Sequence, residues 1–145
     1  MDPFYLELEL IKPVSDYFKH QGYHIREEVR IGFCRADLVA FKDNKTTAVE
    51  LKLTDRKKAI VQALNYQIGA DYVYLVFPLQ KSYNVLRKSE HELRKHGIGL
   101  LVVNEASCKV SEVIKPNNSQ RKFTSICLDE IDKRRRCRKN KYRMF

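Results

Sequence analysis

Asp37, Glu50 and Lys52 are the residues whose types and spacing could do chemistry, and they fall within one stretch, residues 35 to 53. Two runs rich in β-branched and apolar residues flank a polar turn at Asp43 and Asn44, so the stretch reads as a β-hairpin. With that turn, Lys42 faces Lys45, the numbers of each cross-strand pair sum to 87, and Asp37 falls opposite Glu50. Opposed residues have β-carbons about 5 Å apart on one face, and like charges placed there repel. Side chains alternate along a strand, so Lys52 shares the face of Glu50. The other face, Leu38, Val49, Leu51 and Leu53, is apolar.

Two carboxylates this close raise each other's pKa unless a cation sits between them. A hard divalent ion suits the pair, because Mg²⁺ takes one or two carboxylates and completes its shell with water and substrate phosphate. Metal-assisted phosphodiester hydrolysis is the chemistry that follows. The plainer alternative is an ion pair on an exposed sheet face, which contributes little.

Ala36-Asp37, a hairpin of this length and Glu50-Leu51-Lys52 followed by a helix resemble the PD-(D/E)XK nuclease superfamily, in particular small members similar to archaeal Holliday-junction resolvases and Mrr-type endonucleases. The likeness covers residues 5 to 78, with Ala36 where the motif usually carries proline. It implies an endonuclease that hydrolyses DNA with Mg²⁺, or Mn²⁺ in its place, and leaves a 5′-phosphate. Asp37, Glu50 and the Leu51 carbonyl would hold the ion, and Lys52 would orient the attacking water. A glutamate of the first helix often joins such a site, which makes Glu7 the candidate and Glu9 the second choice. Gln62 and Tyr66 form a Gln-x-x-x-Tyr pattern similar to one in the RecB-like branch, where the glutamine helps to position DNA or water, which makes Gln62 a candidate of the catalytic site and Tyr66 a candidate contact to nucleic acid. A junction-selective enzyme would act as a homodimer, since symmetric cutting needs two sites. The competing reading is a nucleic-acid-binding module of the same fold without turnover.

Elements must bring these residues together. Asp2 and Pro3 suit a helix start, and a helix running to about Gln21, stopped by Gly22, would bury Leu10, Ile11, Val14, Tyr17 and Phe18, with Pro13 kinking or dividing it. On that helix Glu7 falls on the apolar face and Glu9 on the opposite side. His24 to Phe33 alternates as a first strand. After Leu53, Thr54 or Asp55 caps a helix through about Ile68, with Ile60, Ala63, Leu64 and Ile68 as its core stripe. Arg56, Lys57 and Lys58 open this helix against its macrodipole, so phosphate contact is a better use for them. Tyr72 to Phe77 is a central strand, a helix from about Ser82 to His96 stops at Gly97, Gly99 to Val103 is a second buried strand, and Lys109 to Lys115 an edge strand. The pattern predicts an α/β three-layer sandwich around a mixed central sheet.

Charge is unevenly spread. The chain has 145 residues and a net charge of +10, and the eight cations after Asp132, among them Arg134, Arg135, Arg136, Arg138 and Lys139, leave +2 for the rest. The division expected is a nuclease-like domain over 1–123 and a basic C-terminal helix over 124–145, whose charge points to DNA. Cysteines 34, 108, 127 and 137 have neither zinc-ribbon nor disulfide-framework spacing. No apolar run reaches the roughly twenty residues of a membrane span, so a cytoplasmic protein without a membrane partner is expected.

Overall fold

The computed structural model describes residues 4, 6–31 and 34–119. After a 3₁₀ turn at Glu7–Leu10, the elements are α1 (Ile11–Lys19), β1 (His24–Ile31), β2 (Cys34–Lys42), β3 (Lys45–Leu51), α2 (Arg56–Tyr66), β4 (Tyr72–Pro78), α3 (Leu79–His96), β5 (Gly99–Val103) and β6 (Val110–Ile114). The six strands lie in one sheet in sequence order. β1, β2 and β3 form an antiparallel meander, β4 and β5 continue it in parallel through the α2 and α3 crossovers, and β6 closes the far edge antiparallel to β5. Helix α1 packs on one face with Leu38, Val49, Leu51 and Val76. Helices α2 and α3 cover the other face through Ile60, Ala63, Tyr66, Val85 and Leu93. The expected three-layer α/β sandwich with a mixed sheet is the fold observed.

The first helix begins later than expected. Pro13 falls in the opening turn of α1, where its missing N–H would have no helical partner, so the expected helix is divided into the 3₁₀ turn and α1 instead of kinked. The helix closes at His20, followed by Gly22 with φ of +92°. Phe18, 2% exposed, packs edge-on against its helix neighbour Tyr17, against Tyr23 ahead of β1 and against Tyr74 of β4 at centroid distances of 5.2, 5.2 and 5.7 Å, the last tying α1 to the sheet. Phe18→Ala should therefore destabilise the domain by about 3–5 kcal/mol, the usual range for emptying a buried phenylalanine site. Thermal unfolding would show it as a fall in Tm of about 10 °C.

Both hairpin strands are regular until they reach the site. Asp43 and Asn44 have φ of +53° and +63°, the left-handed pair of a type I′ turn, and the ladder runs from Lys42↔Lys45 to Leu38↔Val49 in the expected register. At Asp37 the alternation slips. Leu38 and Ala40 face the α1 layer, yet Ala36 joins Val39 in the opposite layer. On β1, Glu27 pairs with Leu38 and Val29 with Ala36, while Glu28 between them has φ of +54° and no ladder partner. Irregularities of this kind re-aim a side chain, here Asp37. Helix α3 starts at Leu79, three residues before the expected Ser82, because Pro78 supplies an extended N-cap. Among the described residues, no helix is long and apolar enough to cross a membrane.

Candidate active site

Glu50 lies near the C-terminal end of β3, paired with Leu75 of β4, and is 3% exposed. Its Oε1 accepts a hydrogen bond from the Tyr66 hydroxyl at 2.6 Å, and its Oε2 lies 3.5 Å from the Lys52 Nζ. The pair is set deep, with side-chain exposures of 12% for Lys52 and 4% for Glu50. Lys52 is steadied by its own backbone, whose N–H donates to the Val76 carbonyl at 3.0 Å. Asp37 does not sit squarely across from Glu50 as the hairpin count predicts. Beyond Leu38↔Val49 the ladder opens, and the Asp37 Oδ2 accepts the N–H of Leu51, one residue further on, at 2.8 Å. Leu51 is thus tied to the site through its amide, in a residue 1% exposed.

Burial decides the electrostatics. Desolvation pushes the Glu50 carboxyl up from its ordinary 4.5 to about 7, against the Tyr66 hydrogen bond, with the Asp37 charge adding to the rise and Lys52 opposing it. Asp37 is also raised, first by desolvation, against the Leu51 N–H that favours its charged form; Glu7 and Glu28 push it further up and Lys52 down. A buried carboxylate and a half-buried one that share a single nearby ammonium are short of positive charge.

Asp37 opens into a cleft of about 560 Å³ between the 3₁₀ turn and the strand ends, with Glu7 and Glu28 on its walls and Leu51, Leu53 and Thr54 along its base. Glu7 reaches this cleft from the exposed 3₁₀ turn, not from the core face of a helix. Glu9 is turned away, its carboxylate accepting the N–H of Leu6 at 2.8 Å. Glu28 is a cleft residue that sequence reasoning missed. Its signal was the β1/β2 register, which places it across from Asp37 once β1 is known to pair with β2.

The structure moves Tyr66 from the nucleic-acid surface to the interior. It is 0% exposed, and its hydroxyl lies 2.9 Å from the Arg35 carbonyl as well as 2.6 Å from Glu50, so its one proton serves either acceptor in turn. It positions Glu50 and cannot stack on a base. Gln62 is one turn earlier on α2, its Oε1 buried with no hydrogen-bond partner among the described residues. Asp55, with φ of +57°, caps α2 by accepting the Lys58 N–H at 3.2 Å. Arg56 is partly buried and donates to the Ser89 hydroxyl of α3 at 2.9 Å, while the Lys57 and Lys58 side chains are exposed. Arg134, Arg135, Arg136, Arg138 and Lys139 lie outside the described residues, as does the expected 124–145 helix.

Tyr66→Phe offers a direct test of this wiring. The lost hydrogen bond favours ionised Glu50, so its removal raises that pKa further. If ionised Glu50 is needed for activity, the acidic limb of the pH–rate profile should move to higher pH. An unmoved limb would detach Tyr66 from the function of Glu50.

Among the described residues, no three His, Cys, Asp or Glu side chains are gathered tightly enough to form a ready-made metal cage. The donor chemistry nonetheless fits Mg²⁺, which needs only one or two carboxylates from a protein. Asp37 and Glu50 supply oxygen donors whose ionised forms burial disfavours, and a cation beside them reverses that preference.

No known family model matches the chain, and neither does any curated protein. Solved structures do. A protein of unknown function from Silicibacter pomeroyi is 13% identical over 99% of each chain, with a TM-score of 0.64. An XisH family protein from Nostoc punctiforme is 16% identical, covering 75% of this chain and 98% of that one, with a TM-score of 0.55. An fdxN element excision controlling factor protein from Anabaena variabilis is 18% identical, covering 72% and 97%, with a TM-score of 0.53. At such identities the likenesses show a shared fold alone.

Proposed function

We propose that this chain is a metal-dependent endonuclease of the PD-(D/E)XK type that hydrolyses DNA phosphodiesters. The observation that carries the reading is the buried Glu50–Lys52 pair beside Asp37, held by Tyr66 and the Leu51 amide in a place where uncompensated carboxylates are disfavoured. Asp37, Glu50 and the Leu51 carbonyl would hold Mg²⁺, or Mn²⁺ in its place. The chemistry a divalent ion supplies when bound is polarisation of a phosphoryl oxygen and acidification of a water. Lys52 donates to the phosphate oxygens on which charge grows and orients the attacking water. Tyr66 fixes the rotamer of Glu50, leaving its second oxygen toward Lys52, and the buried amide oxygen of Gln62 is left for a bridging water. Glu7 and Glu28 add negative charge to the Asp37 cleft and would draw in a second cation.

The competing reading is a nucleic-acid-binding module of the same fold without turnover. Incubating labelled duplex and four-way junction DNA with the protein in Mg²⁺, Mn²⁺ or EDTA separates the two. Metal-dependent products bearing 5′-phosphates are expected. Binding without products in any divalent ion would replace the nuclease with the module. Preference for the junction would require a homodimer, and light scattering on the eluted protein would then read twice the chain mass.

A further inference from the structure

Where α2 and α3 begin, at the C-terminal ends of β3 and β4, a second cleft of about 310 Å³ lies beside the carboxylate cleft. Leu53 and Thr54 line both, so the two hollows share a two-residue ridge. Their charges are opposite. Glu7, Glu28 and Asp37 stand on one side, Arg56, Lys57 and Lys81 on the other. The crevice outside the carboxyl ends of the strands is where open α/β sheets bind their ligands.

The basic cleft is built, not merely decorated. Arg56, which lines it, donates to the hydroxyl of Ser89 on α3, a residue 1% exposed, at 2.9 Å, and this holds the guanidinium in place. Asp55, the one acid among its described lining residues, caps α2 by accepting the Lys58 N–H. Phe77, 1% exposed, contributes to the lining and Asn84 adds an amide. Three cations around one hollow repel one another, and an entering anion relieves that repulsion.

Building on the nuclease reading, we propose that the DNA strand cut over Asp37, Glu50 and Lys52 crosses the Leu53–Thr54 ridge and sets the backbone phosphate next to the scissile one in this cleft, against Arg56, Lys57 and Lys81. Lys81 and Asn84, two helices away from the hairpin, thereby belong to strand recognition. Contacts to phosphate fix register without reading sequence, so this recognition is the same for every sequence.

The test is the salt dependence of binding to a fluorescent duplex oligonucleotide in EDTA, for wild type, Lys81→Ala, Lys81→Arg and, as control, Lys95→Ala at the far end of α3. Loss of one phosphate contact lowers the slope of log affinity against log salt by about 0.9. Lys81→Ala should show that drop and a several-fold higher Kd on every sequence, Lys81→Arg should restore both, and Lys95→Ala should match wild type. A wild-type slope in Lys81→Ala overturns the proposal. Adjacency is read by cleavage of strands carrying one neutral methylphosphonate. It should suppress cutting at the neighbouring bond several-fold in wild type and add a clearly smaller loss to the defect of Lys81→Ala, where only Arg56 and Lys57 still meet that phosphate, and an equal further loss in both would move the phosphate elsewhere. Because binding is read without metal, a chain that shows the Lys81 slope but never cuts keeps the cleft and loses the nuclease. One that cuts without Lys81 dependence does the reverse.

Discussion

Glu50→Gln should yield a protein that is more stable than wild type and does not cut. Folding raises the Glu50 pKa from 4.5 to about 7, so the folded chain holds that proton more tightly than the unfolded one. The sign follows: the stability linked to this proton is fully present below pH 4.5 and is lost as pH rises through about 7. Glutamine is neutral throughout. In metal-free buffer the variant should gain up to about 3 kcal/mol over wild type above pH 7, and the gain should vanish toward pH 4.5. Its amide oxygen keeps an acceptor for the Tyr66 hydroxyl, and its NH₂ takes the place of the oxygen that faced Lys52. Cleavage should fall about 10³-fold or more, the scale on which removing one preorganised electrostatic group slows an enzyme. Mg²⁺ should raise the Tm of wild type and leave the variant unmoved, since a ligand stabilises only the fold it binds. Denaturation curves at pH 5 and pH 8, with and without Mg²⁺, check all of this. A variant less stable than wild type at pH 8 would mean that Lys52, left without its partner, outweighs the buried carboxylate.

Removing residues 133–145 should weaken DNA binding across all sequences by orders of magnitude. The segment carries eight cations and no acid. Each phosphate contact contributes about 0.9 to the salt slope on duplex DNA, so losing half of the eight would flatten it by about 3.6. Anisotropy titrations over a range of salt would measure this. Glu50→Gln should bind nearly as well as wild type in EDTA, and an equal loss of binding in the two proteins would contradict the division between a carboxylate site that cuts and a basic segment that holds.

How far these features are legible in the chain depends on whether the forces are local. Asp43 and Asn44 tolerate positive φ, and alternating apolar residues on either side leave one register, so the hairpin can be counted residue by residue. The apolar runs at Tyr72 and Gly99, with helices between them, require parallel strands, and these were readable too. The slip at Asp37 was not. It depends on Glu28 of a third strand taking a left-handed conformation, for which a glutamate sequence gives no cue. Tyr66 is similar: helical spacing places it beside Gln62, but only the closing of α2 over β3 turns its hydroxyl onto Glu50 and buries it. Pro13 was legible as a residue that kinks or divides the first helix, and the residues before it decided for division by forming a 3₁₀ turn. The basic cleft joins α2 to the start of α3, so Lys81 gave no local signal at all.

The most direct measurement is nicking of supercoiled plasmid by wild type and Glu50→Gln in Mg²⁺, with EDTA as control, after both proteins have been shown to be folded and to bind the plasmid. The result expected is metal-dependent conversion to open-circle and linear DNA by wild type and none by the variant. Equal nicking by both, or none by a folded wild type that binds in Mg²⁺ and in Mn²⁺, would contradict the assignment of catalysis to Asp37, Glu50 and Lys52.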